Sequence, residues 1–443
     1  MRRVLGLAMV AVLAALSACT DGTPPTPGRT ASPSSVPPER QPQSPAADGP
    51  DSAAAALERL CTLEPPKGDG DGSEVPPEGP TPPAIEQVME ELEQVRGFGF
   101  SARVVAEPKT QQEIARGFQR ALDAAFPVEF SERRSQVWRT IGVIPDGTDI
   151  REELAEYGGS QVIGYYDTLT GELVFLGGEE PTPLESVTLA HELTHAIEDQ
   201  RFGLERLDTL SARCRDDRTE GALALVEGSA TFFMYEWART FLTPEEQVAL
   251  VQESASQELP DADVAPFIEA LKIWPYLAGH RFVTELEQRG GLDAIDAAFS
   301  DLPVSSEQII HPERYPNDVP TPLDVADLAR ELGGDWEDLD VMEVGEVWLD
   351  TALSLRLDAG LAEDASAGWD GGLYRAWSDD HGRVAIVLVT AWDSEGDAEE
   401  FARALQRWIG DGAGDVLSPE GTTVRAIFAS DEETLAVLND AAA

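Results

Sequence analysis

Apolar residues recur at helical spacing between Ala84 and Val95, where Ile85, Val88, Met89, Leu92 and Val95 fall on one face. Gln111 to Phe126 and Ser131 to Ile141 repeat the pattern. Phe98 to Val105 reads as extended. Gly158 and Gly159 mark a break, after which Gln161 to Tyr166 and Glu172 to Leu176 form two short runs of Val, Ile, Tyr and Phe. With Asp167 and Gly171 between them, they predict a β-hairpin. Pro181 and Pro183 end it, and a long helix is expected from near Leu184, a second from about Arg218 to Phe241, and more through residues 243–300. The pattern then changes. Gly371 to Ala376, Arg383 to Thr390 and Thr422 to Phe428 predict strands, and Glu395 to Trp408 a helix. The expected fold class is α+β: a mostly helical domain with a small edge hairpin over residues 84–345, then an α+β module over 346–443.

The N-terminal quarter follows other rules. Arg2 and Arg3 precede an apolar run, Val4 to Leu16, too short to span a bilayer as a helix, and it reads as the apolar core of a secretory signal. Leu16-Ser-Ala-Cys19 resembles the lipobox of bacterial lipoproteins. That resemblance implies cleavage after residue 18, a lipidated Cys19, an extracytoplasmic location and attachment to the membrane through lipid. Residues 20–83 are dominated by Pro, Ser, Gly, Ala, Asp and Glu, which bury too little apolar surface to offset ordering entropy, and read as a flexible tether. One helical patch, Ser52 to Leu63, interrupts it and carries Cys61. Cys61 and Cys214 are the two cysteines left after Cys19, and in an oxidising compartment the pair is a candidate disulfide.

Charge removes some functions. The chain of 443 residues carries 82 acidic against 32 basic side chains, a formal net charge of −50. Nucleic acid is not an expected partner, because phosphate binding needs clustered Lys and Arg.

The chemistry concentrates in His191-Glu192-Leu193-Thr194-His195. Residues four apart on a helix lie nearly above one another, so two imidazoles at that spacing can converge on one Zn²⁺. Glu192 then stands where a general base is needed. The chain holds only five His, and chance would produce the motif in roughly 1% of such compositions. A catalytic zinc keeps one position open, so one more ligand is expected. Glu227, in Ala222-Leu-Ala-Leu-Val-Glu-Gly-Ser-Ala-Thr231, is the leading candidate and Glu220 its rival.

Over roughly residues 160–240 the chain resembles the gluzincins, the thermolysin-like clan of zinc metallopeptidases. In that clan an HExxH helix is followed by a second helix carrying a Glu ligand, often within Glu-Gly-x-Ala. The resemblance implies a zincin-like peptidase domain, Zn²⁺ held by His191, His195 and Glu227, and Glu192 as general base. It further implies a peptide or protein substrate lying along the edge of the 161–176 hairpin. It departs at Thr231, where several members carry an Asp that orients the first His; Asp199 or Glu220 would have to take that part. The clan's oxyanion donor is a Tyr or His downstream of the third ligand. His311 is the favoured candidate here, with Tyr276, His280 and Tyr315 as alternatives. Two other readings stay open: a catalytically silent zinc-fold lipoprotein acting as an envelope binding or scaffolding module, and a zinc hydrolase acting on a non-peptide bond.

Overall fold

A computed structural model of the chain describes residues 7–10, 51–61, 63, 81–168, 171–178, 180–256, 264–333 and 335–442. The expected lipidation site Cys19 and most of the 20–83 tether lie outside these residues.

The architecture is α+β, with two sheets set among helices. In the first sheet, β2 (Val105–Lys109) runs parallel to β4 (Glu172–Leu176), and β4 pairs antiparallel with β3 (Val162–Tyr166). A fourth segment, β1 (Leu7–Val10), lies antiparallel along the outer edge of β3. β3 and β4 form the expected hairpin. The expected strand at Phe98–Val105 falls instead at Val105–Lys109. Gly97, at φ 87°, ends the preceding helix Pro83–Arg96, and Phe98 turns inward to sit 4.3 Å from the Arg96 guanidinium rather than joining a ladder.

Two long helices cross beside this sheet. Pro183–Phe202 starts with a reciprocal cap, in which Thr182 accepts from the Glu185 amide and Glu185 from that of Thr182, and Pro183 occupies the first turn. It is buried without a break from Val187 to Glu198. Thr188 and Thr194 remain satisfied there because their hydroxyls donate to the carbonyls of Leu184 and Ala190. Asp216–Phe241 packs against it, and Pro266–Gly290 packs against Asp216–Phe241.

The contact between the last two helices is set by glycine. A Cβ on Gly279 would stand 2.9 Å from the Gly228 Cα and closer still to the Ala224 carbonyl oxygen. Only a residue without a side chain allows the two backbones this near.

The second sheet has the order β5-β6-β7-β9-β8: β5 (Trp336–Glu343), β6 (Trp369–Asp379), β7 (Val384–Trp392), β8 (Gly414–Val416) and β9 (Thr423–Ala429), all antiparallel. Its first strand precedes the expected boundary at 346 by ten residues. Alternate side chains serve two cores. Met342, Tyr374, Ile386 and Leu388 face Trp138, Phe267, Tyr276 and Trp348, together with Phe401 and Leu405 of the helix Glu395–Ile409. Val341, Leu373, Trp377, Val387 and Val389 face the other way, where Ala53 and Ala56 of the helix Ala53–Leu60 cover them. The C-terminal module therefore shares a core with helices of the preceding domain. Arg134 adds a buried bridge, donating to Asp340 of β5 and to Asp216. Cys61, directly after the covering helix, is disulfide-bonded to Cys214 across 153 residues.

Candidate metal centre

The first two ligand candidates follow from helix period. His191 and His195 are one turn apart on Pro183–Phe202, and their Nε2 atoms lie 3.1 Å from each other. Glu227 comes from the next helix, its Oε2 at 3.2 Å from His191 Nε2 and 3.4 Å from His195 Nε2. All three side chains are buried. Four ligands held tetrahedrally at the usual 2.0–2.1 Å from Zn²⁺ stand about 3.3 Å apart. The observed triangle has that edge, so the donor set matches one face of a zinc tetrahedron with the fourth corner left for water or substrate. The rival Glu220 lies two turns away and does not join it; among the described residues, this trio is the only group of His, Cys, Asp or Glu with atoms close enough to share an ion.

The electrostatics suit a cation. Burial disfavours charge on His191 and lowers its pKa, which leaves a neutral ring with a free lone pair. Burial also works to raise the Glu227 carboxyl, but the charge of His195 and hydrogen bonds from both imidazoles outweigh it and hold the group near 2. The ionised carboxylate is the form a metal ligand needs, and the imidazole protons that face it would be released when an ion binds.

Glu192 is buried and faces the sheet: a Cβ placed on Gly164 of β3 would touch its Cγ at 3.3 Å. The general-base candidate and the edge strand are thus in van der Waals reach.

Among the oxyanion-donor candidates, Tyr276 is the residue brought to the triad. Its ring stacks over His191 at 6.0 Å, and its hydroxyl hydrogen-bonds Glu227. Burial first, then the charges of Glu227 and Glu192, keep that phenol protonated well beyond its ordinary range. The cause of its placement is the glycine crossing, because Tyr276 sits one turn before Gly279 and Glu227 one residue before Gly228. Tyr157 is near enough to feel the Glu227 charge as well. His311 is placed elsewhere. It pairs with Glu346 at 2.9 Å, within a cluster that includes Arg314 and Glu307. His280 packs against Phe232 and Tyr235, and the Tyr315 hydroxyl donates to the Asp301 carbonyl.

Asp199 is occupied as well, accepting from the Tyr166 hydroxyl and the Leu204 amide at the helix end. The Nδ1 atoms of His191 and His195 find no protein acceptor among the described residues. Glu198 is a carboxylate that lies within electrostatic range of His195. It is fully buried, accepts from Ser229 at 2.6 Å, and pairs with Arg96 at 2.9 Å. Arg96, also fully buried, lies 4.8 Å from the Phe233 ring. This network locks the two ligand helices and Pro83–Arg96 together.

A family model described as a domain of unknown function, DUF8575, matches residues 336–439. These are the second sheet and its helices, so the match lies outside the metal-site helices. No curated protein and no solved structure matches the chain.

Proposed function

We propose that the protein is an extracytoplasmic zinc metallopeptidase of zincin-like fold, tied to the membrane through lipid on Cys19. The observation that carries this reading is the buried triangle of His191 Nε2, His195 Nε2 and Glu227 Oε2, with edges of 3.1, 3.2 and 3.4 Å. When bound there, Zn²⁺ would supply Lewis-acid polarisation of a carbonyl and acidify a water molecule.

The chain's own residues do the rest. Glu192 takes the proton of the attacking water and returns it to the leaving amine. Tyr276 presents a protonated hydroxyl at the triad, suited to donate to the oxygen on which charge develops. Glu198, through Ser229 and Arg96, keeps the ligand helices in register. In this reading β3 offers an edge for an extended substrate once the leader is removed, the edge along which Leu7, Ala8 and Val10 of that leader pair with Tyr166, Tyr165 and Val162. The Cys61–Cys214 disulfide is in keeping with an oxidising compartment. Among the described residues, no helix is long and apolar enough to cross a membrane.

The test is Glu192→Gln. The variant is expected to retain stoichiometric zinc and lose nearly all cleavage of a mixed peptide library. Cleavage at the wild-type rate would overturn the mechanism. Wild-type protein that binds zinc yet cleaves no peptide would favour the scaffolding alternative.

A further inference from the structure

A cavity of about 150 Å³ lies where the C-terminal module meets the helical domain, with Trp138, Asp216, Glu220, Lys272, Glu343 and Trp348 in its wall. Three of its helices lead straight to the metal centre. Glu220 and Glu227 share one face of Asp216–Phe241, seven residues or about 10 Å apart. Lys272 and Tyr276 are one turn apart on Pro266–Gly290, and Leu154 of the wall is three residues from Tyr157. Glu220, in the cavity wall, therefore stands about 10 Å along its helix from the triad's Glu227, a separation that an extended arginine together with its backbone can span.

Part of its polar lining is paired, Asp216 with Arg134, Glu343 with Arg215 and Asp217 with the Ser306 amide, but several atoms are unspent. Glu220 Oε2 and Asp216 Oδ2 are sealed from solvent and take no hydrogen bond, and the Nε1 atoms of Trp138 and Trp348, on side chains more than nine-tenths buried, make none either. Four carboxyls (Asp216, Asp217, Glu220 and Glu343) line the space against two cations, Arg134 and Lys272. The Arg134 charge is already shared between Asp216 and Asp340. Unsatisfied buried carboxylate oxygens are costly, and a ligand carrying N–H donors relieves them. Indole walls favour a cation or its aliphatic stem. A space near 150 Å³ holds about six heavy atoms, the size of benzene and close to that of an arginine or lysine side chain.

We propose that this cavity is the specificity pocket of the same centre, that it accepts a basic side chain of the substrate near the scissile bond, and that Glu220 is the residue that selects it. The proposal rests on the hydrolytic reading of the triad. It also gives the second sheet a part in recognition, since Met342, Glu343, Val347 and Trp348 of that region complete the wall.

The test pairs catalysis with binding. Zinc-loaded full-length protein is given peptides that carry arginine or its uncharged isostere citrulline at each position around the cleaved bond. One position is expected to favour arginine at least about tenfold in kcat/KM, and Glu220→Gln to lower that ratio about tenfold while zinc content stays stoichiometric. Equal rates for the two peptides at every position, or an unchanged ratio in Glu220→Gln, overturns the pocket and leaves the peptidase reading standing. Calorimetry of the same peptides on zinc-loaded Glu192→Gln protein tests the pocket without turnover. Tighter binding of the arginine peptide, weakened about tenfold by adding Glu220→Gln, supports it; equal affinities refute it even if the wild type cleaves nothing.

Discussion

Replacing Gly279 by alanine would add one methyl group where Pro266–Gly290 crosses Asp216–Phe241. That Cβ would stand 2.9 Å from the Gly228 Cα and nearer still to the Ala224 carbonyl oxygen. Both obstacles are backbone, so no side chain can swing aside, and the helices must separate by about 1 Å or more. Overpacking of this kind costs about 3 kcal/mol at the upper end of its usual range, against about 1 kcal/mol gained in helix propensity. The net loss of about 2 kcal/mol lowers the thermal midpoint by about 3 °C for a domain of this size. Function should suffer more than stability. Tyr276 rides on the displaced helix one turn from the clash, and an ångström of misplacement lowers a catalytic rate about 100-fold. The assay measures melting, zinc content and kcat/KM on one preparation of Gly279→Ala. A small fall in midpoint, full zinc and a loss of about 100-fold are expected. A variant that melts at or above the wild-type temperature would refute the close crossing, and one that is destabilised but turns over normally would refute its role in aiming Tyr276.

Two further predictions bear on the site and the brace. Tyr276→Phe is expected to lose about 100-fold in kcat with zinc retained, the usual price of one oxyanion donor, while His311→Phe keeps most of its activity; the reverse ranking in a steady-state assay would restore His311 as the donor. Cys61→Ser is expected to destabilise the protein by up to about 5 kcal/mol, the loop-entropy value for a closure of this length. Denaturant titration, or melting with and without a thiol reductant, measures it, and equal stability of the two forms would mean that the covering helix is held by packing alone.

What could be read along the chain depended on how local the cause was. The motif helix was legible because its cap, its Pro and its two His are set by neighbours in sequence. The hairpin at 161–176 was legible from turn chemistry. Glu227 could be ranked above Glu220 through a family resemblance, but only three dimensions show it meeting both imidazoles. Tyr276 was one of four candidates, and what separates it from His311 is the Gly228–Gly279 contact, 51 residues apart. Neither glycine announces a partner, since a glycine within a helix reads first as a weak point. Strand β2 falls a few residues beyond its expected place for a related reason: Phe98 and Phe100 look like strand residues, yet Phe98 packs on the buried Arg96 and Phe100 against the apolar core beside it. Glu198 looked like one more acidic residue in a chain that has 82 of them. Its distinction is burial, which alternation alone does not reveal when the whole helix is inside.

The placement of the disulfide bears on what the C-terminal module does. Cys214 lies two residues before Asp216, where the helix that carries Glu220 and Glu227 begins. Cys61 ends the helix that lies on the outer face of the second sheet, and Arg59 of that helix pairs with Asp338 of β5 at 2.7 Å. The inner face of the same sheet shares its core with Trp138, Phe267 and Tyr276. The module is therefore held from both sides, by a covalent link outside and a continuous core inside. A lid needs few contacts and a hinge, and neither feature is found at this junction among the described residues. Fixed in this way, the module works as a brace that holds the start of the Glu227 helix, and its Trp348 stands as an immobile wall of the cavity beside it. If the chain is anchored at Cys19 as proposed, a pull from that side would be passed from Cys61 to Cys214 through the disulfide, short of the metal ligands by about three helical turns.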